Sequence, residues 1–129
     1  MGPVDVARVR VDRYAEQLKA LVGRLRRGAP DADCLIVGPP DSAGPGATGS
    51  EPRVSEIDRL EERTALELGC AYLSAYRLMG GEGSFVRFLS ETPRLARPDR
   101  IHLTPKGYEK LGDASAAELL RRYDEYRAK

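Results

Sequence analysis

The sequence predicts an α/β fold built on a parallel sheet, and three observations carry that expectation. Two short, continuously apolar runs, Cys34-Leu35-Ile36-Val37 and Cys70 to Leu73, are bounded by turn residues. Runs of this length without polar alternation fit strands buried on both faces better than short helices. Around them lie stretches with apolar residues at helical spacing, so helices alternate with strands along the chain. Two strands are too few to close a parallel sheet, which needs helices on both faces and several neighbours. The 129 residues suffice for one domain and not for two, so the chain reads as part of a larger domain or as an unusually small one.

The elements follow in order. Val4 to Arg13 has no clear period and reads as a lead-in. A helix is expected from Asp12, its N-cap, with Tyr14, Leu18, Leu21, Val22 and Leu25 on one face and Gly28 and Pro30 ending it. After the first strand, Gly38 to Pro52 is the longest irregular stretch. In α/β proteins a loop directly after a buried strand often carries function, although a plain surface loop fits these residues equally well. Val54, Ile57, Leu60, Ala65 and Leu68 mark a second helix, closed by Gly69 ahead of the second strand. Phe85, Val86, Phe88 and Leu89 suggest a short helix after Gly80-Gly81, and Arg94 to Ile101 reads as a loop. Thr104-Pro105 supplies an N-cap and an N1 proline for the last helix. Its apolar face is expected at Tyr108, Leu111, Ser115, Leu119 and Tyr123.

Composition narrows the function classes. With 41% hydrophobic and 32% charged residues the chain suits a soluble globular fold. Its 21 basic and 20 acidic residues leave a formal charge of +1, and only 6% of residues are aromatic. That balance disfavours a nucleic-acid binder, which would carry a basic stripe or aromatic platforms. Arg24, Arg26 and Arg27 cluster near Asp31 and Asp33 and read as the solvated end of a helix. No apolar run approaches the roughly 20 residues of a membrane span. Met1 to Arg13 has no apolar core for a signal peptide, and the compartment is left open. Cys34 and Cys70 match no zinc spacing, and one histidine with two separated cysteines is a poor metal set. The two cysteines read as small buried hydrophobes, with a disulfide between neighbouring strands as the open alternative. No metal or cofactor is implied.

The informative segment runs from Pro98 to Tyr108. His102 is the only histidine, three residues after Asp99, in a loop that runs into the capped last helix. Imidazole is the side chain best suited to general-base work near neutral pH. A carboxylate accepting from its Nδ1–H fixes the tautomer and stabilises the imidazolium. Three-residue spacing in a bend lets both side chains point the same way. An isolated D-x-x-H is also common by chance, so the surrounding pattern decides.

The run Asp99-x-x-His102-Leu103-Thr104-x-x-Gly107-Tyr108, followed by an amphipathic helix, resembles the last conserved block of SGNH/GDSL hydrolases. Tyr14 to Asp41, with Ala29-Pro30-Asp31-Ala32 and Gly38-Pro39-Pro40-Asp41, resembles the segment after that family's third block. Met79-Gly80-Gly81-Glu82-Gly83-Ser84 is similar to bacterial members, some of which deacetylate polysaccharides. The resemblance implies an incomplete flavodoxin-like three-layer sandwich, with residues 1–129 forming one partial domain, the C-terminal half of an SGNH hydrolase. It implies His102 as general base for a serine hydroxyl, Asp99 as its orienting carboxylate, and a small-molecule or saccharide ester as substrate.

The departures are as informative. The family's Gly-Asp-Ser block is absent, and the chain contains no asparagine, so the third-block oxyanion donor is missing too. Asp41-Ser42 follows a strand, but two prolines separate Gly38 from Asp41 and no compact nucleophile turn results. Ser84 and the remaining serines lack a G-x-S-x-G context. The sequence therefore predicts an Asp–His half-site whose partner is a missing N-terminal half, with no esterase turnover by the chain alone. The alternative is a non-catalytic α/β remnant that binds a partner through its sheet edge.

Overall fold

The computed structural model describes residues 10–129. Its elements are α1 (Val11–Gly28), β1 (Leu35–Val37), α2 (Pro52–Glu67), β2 (Ala71–Leu73), α3 (Ala75–Met79), α4 (Ser84–Leu89) and α5 (Pro105–Arg127). Of the expected lead-in, residues 4–9 lie outside the described part, and Val11 to Arg13 already belong to α1. Asp12 is not the cap. Arg10 holds that position, and Asp12 sits in the first turn, where its charge faces the positive end of the helix dipole. The helix α3 was not foreseen. It is five residues long, capped by Ser74 accepting from the Arg77 amide at 3.0 Å and stopped by Gly80 in the left-handed region.

The strands pair in parallel, with Leu35 opposite Ala71, Ile36 opposite Tyr72 and Val37 opposite Leu73. On one face of this sheet Cys34, Ile36, Cys70 and Tyr72 pack against Val22 of α1 and Ala65 of α2. Below them lies a buried polar network. The Tyr72 hydroxyl donates to Asp58 at 2.7 Å, Tyr14 donates to Glu61, and Arg77 reaches Asp58 at 3.1 Å. Burial, the largest effect there, raises the Glu61 carboxyl above its usual value. Gly38 closes over this network. A Cβ at that position would sit 1.9 Å from the Tyr72 hydroxyl oxygen, so only glycine lets the chain leave β1 along this path.

The opposite face corrects the expectation of a strand buried on both sides. Leu35 is 44% exposed and Val37 55% exposed. The cause is coverage: α1 and α2 pack on the side of Ile36, and no described helix lies over Leu35 and Val37. The two edges of the sheet also differ. Within the pair, the Ala71 amide bonds the Cys34 carbonyl at 2.9 Å and the Gly38 amide bonds the Leu73 carbonyl at 2.8 Å. Peptide groups alternate in direction along a strand. Tyr72 therefore presents its carbonyl to the outer edge of β2, and Leu35 and Val37 present theirs to the outer edge of β1. Arg122 of α5 caps the Tyr72 carbonyl at 2.6 Å.

Cys34 and Cys70 form a disulfide, with Cα atoms 4.8 Å apart, one residue before the paired strands begin. This resolves the alternative left open by the sequence. The link spans 36 residues. On the chain-entropy argument, a loop of that length stabilises the fold by about 4 kcal/mol. Cys34→Ser with Cys70→Ser is expected to lower the unfolding free energy by an amount of that order, read from urea denaturation. A loss well below 1 kcal/mol would mean that helix packing alone fixes the strand pair.

A second apolar cluster supports the region of the motif. Ala43, Met79, Phe85, Phe88, Ala96 and Leu103 are buried together, drawing in the 38–51 loop, α3, α4 and the segment before α5. Leu111 of α5 packs on this cluster. Ser115 of the expected apolar face of α5 is half-buried as well, but Tyr108, Leu119 and Tyr123 are exposed. Gly107 and Arg122 face the body of the protein instead.

Candidate active site

Residues 95–104 form a small hairpin whose tip carries the motif. Ala96 and Leu103 make an antiparallel bridge, and both are buried. The Arg97 amide bonds the His102 carbonyl at 2.8 Å, and the Thr104 amide bonds the Leu95 carbonyl at 3.0 Å. Inside the tip, the Arg100 amide bonds the Arg97 carbonyl at 3.0 Å and closes a turn. Two apolar anchors thus hold the base, and polar residues are free to project from the end.

Asp99 organises that end with its two oxygens divided between tasks. Its Oδ1 accepts the backbone amides of Ile101 (3.0 Å) and His102 (2.9 Å), an Asx-type turn. Its Oδ2 lies 2.8 Å from Nδ1 of His102. An ionised carboxylate only accepts, so Nδ1 carries the proton of the neutral ring and Nε2 holds the lone pair. No described residue bonds Nε2, and the His102 side chain is 48% exposed. The two residues singled out from the sequence are therefore in contact, on the surface, with the basic nitrogen open. What the arrangement can do chemically is accept a proton at Nε2 while the carboxylate balances the resulting charge.

The Asp99 carboxyl is lowered to about 2, first by the His102 amide, then by the Ile101 amide and the imidazole. A folded value below the free value of about 3.9 has a definite sign. The turn gains stability above that free value, and the gain is lost as pH falls through the folded value. The Asp99 side-chain carboxyl carbon resonance is therefore expected to show its own protonation step only toward pH about 2, not at the free value of about 3.9. A midpoint at the free value would show that the turn bonds do not hold the carboxylate.

The base of the hairpin explains the rest of the motif. Thr104 Oγ1 accepts from the Gly107 amide at 3.2 Å, capping α5, and donates to the Arg94 carbonyl at 2.7 Å. Gly107 is buried against the hairpin, where a Cβ would lie 1.9 Å from the Leu95 carbonyl oxygen. The spacing from His102 to Gly107 is thus the spacing that lets α5 dock beneath the tip.

The 38–51 loop forms the neighbouring wall. The Ala43 amide bonds the Arg100 carbonyl at 3.1 Å, and the Arg100 guanidinium reaches back to the Ala47 carbonyl. Asp41, fully buried, takes Ser50 Oγ (2.8 Å), the Phe85 amide (2.9 Å) and Ser84 Oγ (3.1 Å) on one oxygen. Ser42 and Ser84 are buried, Ser84 Oγ is bonded to Asp41, and the one side-chain partner of the His102 ring among the described residues is Asp99. Sequence reasoning placed Asp41 in the family-like Gly38-Pro39-Pro40-Asp41 stretch and rejected it as part of a nucleophile turn, but gave it no buried role, and it passed over Arg100. The burial of the first and the fold-back of the second depend on partners at least nine residues away, and only Pro40-Asp41 after a strand hinted at either.

The fold is similar to that of solved esterases. A peptidoglycan O-acetylesterase superposes over 89% of this chain with a TM-score of 0.75 and 27% sequence identity. The esterase domain of the ORF1 protein from the zebrafish ZfL2-1 retrotransposon covers 88% of this chain with a TM-score of 0.57 and 21% identity. The chain spans 34% of the length of the first and 61% of the second. No protein-family model matches the sequence, and no curated protein does. The chain is an esterase-like α/β portion, related to the SGNH/GDSL-type hydrolases. Among the described residues no helix is long and apolar enough to cross a membrane.

Proposed function

We propose that the chain supplies the Asp–His pair of a serine esterase that hydrolyses O-acyl groups, with an acetylated sugar as the favoured substrate class. The observation that carries this reading is the 2.8 Å contact between His102 Nδ1 and Asp99 Oδ2 on an exposed hairpin tip. The O-acetylesterase neighbour, at 27% identity over most of the chain, supports the acyl class. In this reading His102 Nε2 removes the proton from a serine hydroxyl, the serine attacks the ester carbonyl, and His102 returns the proton to the leaving alcohol. Water then releases the acyl group with the same base. The serine and the oxyanion donors come from a further portion of the domain, because the sequence holds neither Gly-Asp-Ser nor asparagine. The uncovered Leu35 and Val37 mark where such a portion would pack.

A fluorophosphonate probe followed by intact mass tests the division of labour. The 129-residue chain is expected to stay unlabelled and to leave acetyl esters intact. Joined to a nucleophile-bearing portion of a related esterase, it is expected to gain turnover that disappears in His102→Ala. A stoichiometric adduct on the chain alone would assign the nucleophile to one of its own serines and overturn the reading.

A further inference from the structure

The Arg100 backbone is the one described non-glycine residue with positive φ, at 67°. That conformation brings Cβ close to the chain's own carbonyl oxygen, and glycine adopts it freely. Arginine stands there nonetheless, between the carboxylate and the imidazole of the pair. Both of its ends are tied to the 38–51 loop. Its carbonyl accepts from Ala43, a residue anchored in the buried apolar cluster, and its guanidinium donates to the carbonyl of Ala47, four residues further along. The Nε of that guanidinium is buried without a hydrogen-bond partner, so the side chain forgoes solvation in order to lie against the loop. The loop is itself fixed: Asp41 binds Ser50, Ser84 and the Phe85 amide, and the Glu51 amide bonds the Ser42 carbonyl at 2.8 Å.

We propose that Arg100 is a positioning residue, whose guanidinium clasps the 41–50 loop and thereby holds the Asp99–His102 turn in the geometry that pairs carboxylate and imidazole. This rests on the hydrolase reading for its purpose. Its mechanical content stands on the turn alone. The hairpin tip is exposed and short, and its internal bonds join residues no more than five apart. The clasp adds a link of 53 residues' separation, which ties the tip to the rigid side of the site.

Because His102 is the only histidine, its ring nitrogens give unambiguous signals in the full chain. The probe is 15N-detected tautomer state and exchange of the Nδ1 proton, at a pH where the ring is neutral. Wild type is expected to show the Nδ1–H tautomer with a slowly exchanging proton. Arg100→Lys keeps a cationic donor that can reach Ala47 and is expected to retain both features. Arg100→Gly relieves the positive φ but removes the donor, and is expected to lose the protected proton and revert to the tautomer mixture of free imidazole. Arg100→Ala should lose it as well, and if that variant unfolds, the glycine and lysine variants decide. Retention of the protected Nδ1 proton in Arg100→Gly, or its loss in Arg100→Lys, would overturn the proposal. No substrate enters this measurement, so it fails or succeeds independently of the esterase test above.

Discussion

On the proposed mechanism, Asp99→Asn is expected to lower kcat about 10,000-fold once a nucleophile-bearing portion is joined to the chain, a loss known for carboxylate-to-amide changes in Ser-His-Asp triads. The geometry makes this an unusually clean substitution. The two backbone amides bind Oδ1, and asparagine keeps a carbonyl oxygen for them, so the turn survives. The imidazole faces Oδ2, where asparagine places an NH2 group. Two donors cannot face one another, so Nδ1 must become the acceptor and the ring proton must move to Nε2. The base is then protonated at the nitrogen that should accept, and the fold is intact. In the chain itself the same change is visible without substrate, as a switch of the His102 ring from the Nδ1–H to the Nε2–H tautomer. Unchanged tautomer and unchanged kcat would remove Asp99 from the mechanism.

Gly107→Ala is expected to be strongly destabilising for a single added methyl, costing about 3 kcal/mol or more. The added Cβ would meet the Leu95 carbonyl oxygen at 1.9 Å, and that oxygen belongs to backbone already bonded to the Thr104 amide. Neither partner is the end of a flexible side chain. Relief requires α5 to move off the hairpin, which breaks the Thr104 bond and loosens the tip above it. Gly112→Ala, on the same helix, is the matched control. It has open space around it, and replacing glycine with alanine in a helix interior gains about 1 kcal/mol. Urea midpoints should therefore move in opposite directions for the two variants. A similar small shift in both would mean that α5 is free to slide.

The parts of this molecule legible in its sequence are the parts built from near neighbours. Asp99, His102 and Thr104 act within a span of a few residues, so the bend and the cap were readable locally, whereas the docking of Gly107 on Leu95 was not. The alternation of helices and strands was legible for the same reason, since periodicity is a local property. What depended on distant partners was not. Leu35 and Val37 have the composition of a buried strand, but burial is decided by what lies over them. Glu61 lies at helical spacing on the apolar stripe of α2, four residues from both Ile57 and Ala65, and the tyrosines that receive it there, Tyr14 and Tyr72, come from other elements. The face of α5 was only partly legible, at Leu111 and Ser115, because an aromatic at a helical position, such as Tyr108 or Tyr123, does not reveal which way the helix will roll when a glycine sets the contact. The helix α3 escaped because five residues give too little period to read.

The guanidinium of Arg122 on the Tyr72 carbonyl gives the molecule a direction of growth. Hydrogen-bonded sheets extend into fibres when every added unit offers a fresh template at its far side. Here the far side is plugged at one carbonyl by a charged side chain delivered from a helix, and among the described residues no such cap stands on the β1 side. Two copies joined there would consume both available templates and stop, as a closed two-fold pair does. A heterologous strand would do the same. An exposed apolar strand that could seed aggregation is thereby confined to a single, saturable event.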